Sequence, residues 1–286
     1  MTATNASDAT DTQPRRTYFY RHSSIVRVTH WVNVVCMTIL LMSGLQIFNA
    51  HPALYIGEKS TFDDPVLAMG SARGADSQPL GVTQILDSTF ETTGLFGLSK
   101  VEGDRWAVRG FPEWSTIPSY QDLATGRRWH FLFAWVFVIN GIVYIAYTIA
   151  SGHWRQIMPT GSQLRHIGAS IREHLMLRVP KGEEAKSYNV LQKLAYLGVI
   201  VVLIPILFLA GLTMSPGMDA AFPWLLDLFG GRQTARTIHF VAASLMLLFV
   251  LVHVVMVLIS GVWNNMRSMI TGRYRIEVEE GPHAAE

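Results

Sequence analysis

Apolar residues dominate four stretches of this chain, 25–48, 129–151, 190–214 and 237–262, while polar and charged residues gather between them. A helix needs about 20 predominantly apolar residues to cross the hydrocarbon core of a bilayer, and each stretch meets that length. The pattern predicts an all-α integral membrane protein, a bundle of four transmembrane helices. The first stretch exceeds the 7–15 residues usual for the apolar region of a signal peptide and lacks a small-x-small cleavage site, so it is read as a retained helix. Pro205 falls inside the third stretch and should bend it, a distortion that membrane helices tolerate.

Basic residues in short flanking segments set the orientation. Arg15, Arg16, Arg21 and Arg27 precede the first span. Arg155, Arg165, Arg172, Arg178, Lys181 and Lys186 lie between the second and third, and Arg267, Arg273 and Arg275 follow the fourth. An even number of spans places all three groups on one side, expected to be cytoplasmic. The expected division is a polar cytoplasmic segment 1–24, a membrane domain 25–275 and a cytoplasmic tail 276–286. Residues 1–13 have the composition of a disordered tail. The segment 49–128 then forms a long outer loop in which Trp106, Phe111 and Trp114 stand among Gly, Pro, Ser and Asp. A structureless loop of that length is uncommon without a function, so part of it is expected to fold over the helix ends or against a partner.

Only 15% of the residues are charged, against about 25% in soluble domains, which again points to lipid as the solvent. A net charge of +2 makes no electrostatic case for nucleic acid. The single cysteine, Cys36, excludes an intramolecular disulfide, a CxxCH haem attachment and a cysteine-held iron–sulfur cluster. Redox chemistry, if present, must rest on other ligands, and the ten histidines are the candidates.

Ionisable residues inside spans are functional candidates. His253 lies among Leu251, Val252, Val254 and Val255, and His239 precedes it by 14 residues on the same helix. Fourteen residues return to within about 40° of the same face and rise about 21 Å. One helix thus offers two imidazoles, one near each membrane face. The first span runs outward with His30 near its start, at the level of His253 on an inward helix. The second runs inward with His130 at its start, at the level of His239. Topology therefore pairs His30 with His253 and His130 with His239. Paired imidazoles at two depths suit two stacked b haems, and bis-histidine ligation leaves no open coordination position, as electron transfer requires. His51 and His153, at helix ends, are rival ligands. His22, His166, His174 and His283 lie in polar flanks and read as solvated.

Other residues fit the same arrangement. Gly44, 14 residues after His30, could open a gap near the outer haem, and Gly141, 11 residues after His130, one near the inner haem; both could equally serve helix–helix contact. Arg127, Arg128 and Arg236 stand just outside the outer pair, where they could meet haem propionates or simply anchor the interface.

The runs Thr29-His30-Trp31 with Ser43-Gly44, Arg128-Trp129-His130-Phe131, Ile238-His239 and Val252-His253 resemble the dihaem cytochrome b subunits of formate dehydrogenase, nickel–iron hydrogenase and thiosulfate reductase, which are cytochrome b561-like. The likeness covers four helices and the cytoplasmic loop but not the N-terminal tail or the outer loop, which is far longer than in formate dehydrogenase. It implies the same histidine pairing. Ser187-Tyr188-Asn189-Val190-Leu191-Gln192-Lys193 resembles the stretch that lines the menaquinone pocket of the formate dehydrogenase cytochrome. Carried over, Asn189 and Gln192 would contact a quinone carbonyl; alternatively, Asn189 caps the third span and Gln192 faces the headgroups.

The expected role is a membrane-anchoring subunit of the bacterial inner membrane with both termini cytoplasmic. It would pass electrons between the quinone pool and a periplasmic oxidoreductase, molybdopterin-dependent or similar. The chain offers no catalytic constellation of its own. One alternative is a self-sufficient cytochrome b561-type quinone oxidoreductase that takes electrons directly from a small reductant. A basic funnel of Arg127, Arg128 and Arg236 would favour that reading, and an aromatic surface of Phe111, Trp114 and Tyr120 would favour a partner. A transporter with histidine proton relays is a third, but the internal repeats usual in transporters are not evident.

Overall fold

A computed structural model describes residues 15–74, 77–175 and 189–278. The segment 1–14, Arg178, Lys181, Lys186, Ser187, Tyr188, His283 and the side chain of His174 lie outside the described residues. Four helices are long and apolar enough to cross a membrane: Ser24–Phe48, Leu123–Ala150, Val190–Leu212 and Arg232–Ile259. Large apolar side chains such as Leu132, Ile139, Leu248 and Val255 stand exposed along them, as a lipid-facing surface requires.

The helix limits depart from the apolar stretches for identifiable reasons. The second span starts at Leu123 rather than 129 because Asp122 caps it, accepting from the Thr125 N–H at 3.0 Å. That bond, first among the causes, holds the Asp122 carboxyl below its ordinary range. The fourth starts at Arg232, where the Gly57 carbonyl accepts from the Gln233 and Thr234 N–H groups at 3.0 and 3.2 Å, satisfying donors that a helix start leaves unpaired. Gly231, at φ 105°, permits this approach: a Cβ there would come within 2.7 Å of the Gly57 carbonyl. The third span contains a π-helical turn, Gly198–Leu203, immediately before Pro205, with the Ile204 N–H donating to the Val199 carbonyl. Proline lacks an N–H and its ring crowds the carbonyl four residues back. The wider turn accommodates both, so the expected distortion is a π-turn.

The expectation of an all-α chain is corrected by eight strands among the described residues, all outside the spans. They are β1 (Arg15–Tyr20), β2 (Ala53–Leu54), β3 (Leu67–Arg73), β4 (Pro79–Ile85), β5 (Ser88–Glu91), β6 (Gly97–Val101), β7 (Arg105–Arg109) and β8 (Arg273–Val278). The described chain divides into two units.

One unit comprises the described parts of Met1–Arg27, Trp154–Leu194 and His253–Glu286. Here β1 and β8 pair antiparallel, Arg15 opposite Val278 and Tyr20 opposite Arg273, so the strand continues past residue 275. Asn264, on the helix Val262–Thr271, clamps β8 by donating to the Arg275 carbonyl at 2.8 Å and accepting from its N–H at 2.9 Å.

The other unit comprises Val28–His153 and Ala195–Val252. Its segment between the first two spans forms an antiparallel sheet in the order β2-β3-β4-β5 and a separate hairpin of β6 and β7. Phe48, Leu54 and Met69 form its core, with Leu67, Phe96, Phe111 and Phe240 packed against them. Phe48 ends the first span and Phe240 belongs to the fourth, so the sheet rests on the end of one span and on the turn of another that carries His239. Buried Arg109 braces the segment, donating from Nε to the Phe111 carbonyl at 2.6 Å and from Nη2 to Thr116 Oγ1 at 3.1 Å and the Ser119 carbonyl at 3.0 Å.

Candidate functional site: paired histidines in the spans

His130 lies seven residues into the helix Leu123–Ala150, and His239 seven residues into Arg232–Ile259. At about 1.5 Å per residue, each imidazole sits roughly one and a half to two turns inside its helix. The two ring centres lie 6.2 Å apart with their planes at 68°.

Each ring is held by its Nδ1. That of His130 lies 3.2 Å from the Leu40 carbonyl and 3.1 Å from Ser43 Oγ, and that of His239 lies 2.8 Å from the Leu207 carbonyl. A carbonyl can only accept, so it selects the tautomer with the proton on Nδ1 and leaves the Nε2 lone pair available. The Ser43 hydroxyl donates to the Ile39 carbonyl at 2.6 Å, which turns its own lone pairs to the imidazole. Orientation by a hydrogen bond at the second nitrogen is what metal-ligating histidines require.

The geometry fits a metal held between the rings. Two imidazoles bonded at about 2 Å to opposite sides of one metal ion have centres roughly 6 Å apart. Among the described residues no three His, Cys, Asp or Glu side chains gather as they would around a bare metal ion. His130 and His239 together would suit an iron whose remaining ligands come from a macrocycle.

Gly44 and Gly211 give the rings their space. A Cβ at Gly44 would meet His130 Cε1 at 3.3 Å, and one at Gly211 would meet His239 Cε1 at 3.1 Å. The glycine expected to make room for a macrocycle therefore makes room for an imidazole edge. Gly141 has nothing within 4 Å of a Cβ position. Gly211, Leu207, Leu40 and Ser43 escaped the sequence reading as holders of the rings. The only sequence signal was a glycine on each of two spans that carry no ligand at this level.

His30 lies six residues after the start of Ser24–Phe48, and His253 six residues before the end of Arg232–Ile259. Beside His30, Asn140 of the second span donates to the Thr29 carbonyl at 2.8 Å and to Asn33 Oδ1 at 2.7 Å. This amide ties two spans together at that level, as polar side chains do in membranes.

The remaining candidates find different neighbours. His51 Nε2 lies 3.1 Å from the buried Tyr55 hydroxyl, and its carbonyl accepts from Arg236 Nη2 at 2.5 Å. Burial, and then the Arg236 charge, lower the His51 pKa. Arg236 also lies over the Phe48 ring and Arg127 over Phe131, while Arg128 is exposed. His166 Nδ1 rests on the Ser162 carbonyl. Phe111 is packed against Phe48 and Phe96, whereas Trp114 and Tyr120 are 75% and 61% exposed.

At the start of the third span, Asn189 Oδ1 accepts from the Leu191 N–H at 3.0 Å, and Gln192 Oε1 accepts from the Asn189 N–H at 3.2 Å. This reciprocal arrangement caps the helix start, Asn189 through the second helical N–H and Gln192 through the N–H of Asn189 itself. It occupies the carbonyl end of each amide and leaves the NH₂ ends as donors. Lys193, 7% exposed, donates to the Met158 carbonyl at 3.3 Å and Gln163 Oε1 at 3.2 Å.

No solved structure matches the chain. A putative protein-methionine-sulfoxide reductase subunit, YedZ1, of Azospira oryzae is 28% identical over 237 residues, covering 82% of this chain and 89% of the relative. The sequence model of the family described as prokaryotic cytochrome b561 matches residues 21–272, which takes in all four spans and every histidine placed inside them. With its four apolar helices and paired intramembrane imidazoles, the chain belongs to the prokaryotic cytochrome b561 family and is a membrane electron-transfer protein of that haem b-binding type.

Proposed function

We propose that the chain binds two b haems, one held by His130 and His239 near the outer face and one by His30 and His253 near the cytoplasmic face. On this reading it serves as the inner-membrane subunit that passes electrons between the quinone pool and a periplasmic oxidoreductase, with both termini cytoplasmic. The 6.2 Å spacing of the His130 and His239 rings, each with Nδ1 already engaged, carries the reading. The equal depths of His30 and His253 from their helix ends extend it to the second pair.

When bound, each haem supplies a one-electron carrier whose coordination is closed by two imidazoles. The chain's own residues do the rest. The Leu40 and Leu207 carbonyls fix the tautomers, the spans exclude water, and the helix-capping amides at Asn189 and Gln192 keep NH₂ donors that suit a quinone carbonyl. A partner subunit is favoured over direct oxidation of a small reductant because Trp114 and Tyr120 are exposed on the segment between the first two spans and, of Arg127, Arg128 and Arg236, the last is tied to the His51 carbonyl. The similarity to a protein-methionine-sulfoxide reductase subunit supports an oxidoreductase partner, molybdopterin-dependent or similar on this reading.

Pyridine haemochrome analysis of the purified protein should give two non-covalent b haems per chain. His130→Ala and His239→Ala should each abolish one low-spin signal, and His30→Ala and His253→Ala the other. One haem per chain, or loss of ligation through His51→Ala or His153→Ala instead, would overturn the assignment.

A further inference from the structure

The two rings of the outer pair are held by the same small device on two different spans. Leu40 and Gly44 are four residues apart on the first span, and Leu207 and Gly211 four apart on the third. Residues at that spacing share a helix face. In each case the carbonyl of the first residue meets a histidine Nδ1, and the glycine admits the ring edge. Neither span supplies a ligand at this level. Both act on ligands that the second and fourth spans supply.

An imidazole does not set its own plane. The torsion that rotates it ends on an sp² carbon and is broad and roughly two-fold, so the plane must be imposed from outside. A carbonyl in line with Nδ1–H fixes one direction in the ring plane. A glycine surface under the Cε1–Nδ1 edge blocks rotation about that direction. A Cβ would stand 3.1 Å from Cε1 at Gly211 and 3.3 Å at Gly44, close enough to push either ring round. For His130, Ser43 adds a second acceptor, its hydroxyl already committed to Ile39. The resulting planes cross at 68°.

We infer that these two carbonyl–glycine notches, Leu40 with Gly44 and Leu207 with Gly211, are positioning elements that hold crossed axial imidazoles and thereby set the electronic character of the outer haem. The inference rests on the reading that His130 and His239 ligate one iron. Each imidazole raises the iron π-type d orbital perpendicular to its plane. Parallel imidazoles act on one orbital and split the pair, whereas crossed imidazoles act on both and leave them nearly degenerate. Near-degeneracy gives a highly anisotropic low-spin ferric haem rather than a rhombic one, and second-shell control of this kind is how a protein tunes a bound iron.

Low-temperature EPR of the oxidised, haem-loaded protein in detergent tests the inference. The signal that disappears in His239→Ala should be the highly anisotropic type in the unaltered chain. Gly211→Ala and Gly44→Ala should move it toward a rhombic signal while two haems per chain remain. Ser43→Ala, which removes an acceptor without adding bulk, should shift it less and in the same direction. If the alanine chains fail to assemble, Ser43→Ala alone decides. A rhombic signal in the unaltered chain, or an anisotropic one unmoved in every variant that assembles, overturns the inference while leaving the ligation intact. A spectrum that His239→Ala does not alter overturns the ligation itself, and the inference with it.

Discussion

An amide that caps a helix and an amide that binds a ligand use opposite ends of the same group, and this distinction matters at Asn189 and Gln192. Their carbonyl oxygens are committed to backbone N–H groups, so replacement by leucine would remove cap and donor together. Asn189→Asp and Gln192→Glu keep the accepting oxygen for the cap and exchange the NH₂ donor for a negatively charged acceptor. A buried carbonyl that loses its donor costs about 1–3 kcal/mol, so each change should weaken a quinone-analogue inhibitor roughly ten- to a hundredfold at normal haem content. Inhibitor titration of quinol-dependent haem reduction measures this, and unchanged affinity in both variants removes the two residues from the site. His51 poses a proton question instead. Burial and Arg236 lower its pKa from 6.5, so the fold favours the neutral ring. Its contribution to stability is fully present above pH 6.5 and is lost as pH falls through the lowered folded value, because the unfolded chain then binds the extra proton. Amide hydrogen exchange of residues 51–57 should rise in that acid range, and His51→Gln should flatten the dependence.

At the scale of elements, the third span shows how one residue changes what a helix presents. The π-turn at Gly198–Leu203 adds about one residue to its turn, equivalent to roughly 100° of face. Leu207 and Gly211, beyond it, owe their direction to that offset. Pro205→Ala restores an N–H and removes the crowding that favours the wide turn. The α-helical ladder should then close and swing the Leu207 carbonyl away from His239. Haem content should fall from two toward one per chain while the other low-spin signal persists. Two haems with unaltered spectra in this variant would show that the notch does not depend on the turn.

For the whole molecule, the segment between the first two spans presents exposed aromatic side chains outside the spans. Trp114 is the more exposed of its two candidate aromatic anchors, and exposed aromatics of this kind supply a large share of binding energy once covered. Trp114→Ala should lower retention of the partner subunit in mild detergent by about tenfold or more with both haems in place. Equal retention by the variant would move the docking surface elsewhere on the segment.

Span number, the depths of His30, His130, His239 and His253 along their helices, and the capping role open to Asn189 were legible in the chain alone. Apolar length and helical rise are local quantities, and a proline's effect on its own helix is nearly so. The strands between the first two spans were not legible. Their β4–β5 hairpin turns at Leu86 with φ 51°, a conformation usually signalled by Gly or Asn, and here imposed by the surrounding sheet. Nor could the chain disclose that Leu40 and Leu207 lend carbonyls to two histidines, since a main-chain acceptor carries no residue signature. Gly44 and Gly211 become positioning residues only when another helix brings an imidazole to within van der Waals reach. That contact depends on which helix faces are neighbours, a choice settled by tertiary structure because side chains far apart in sequence must share one volume.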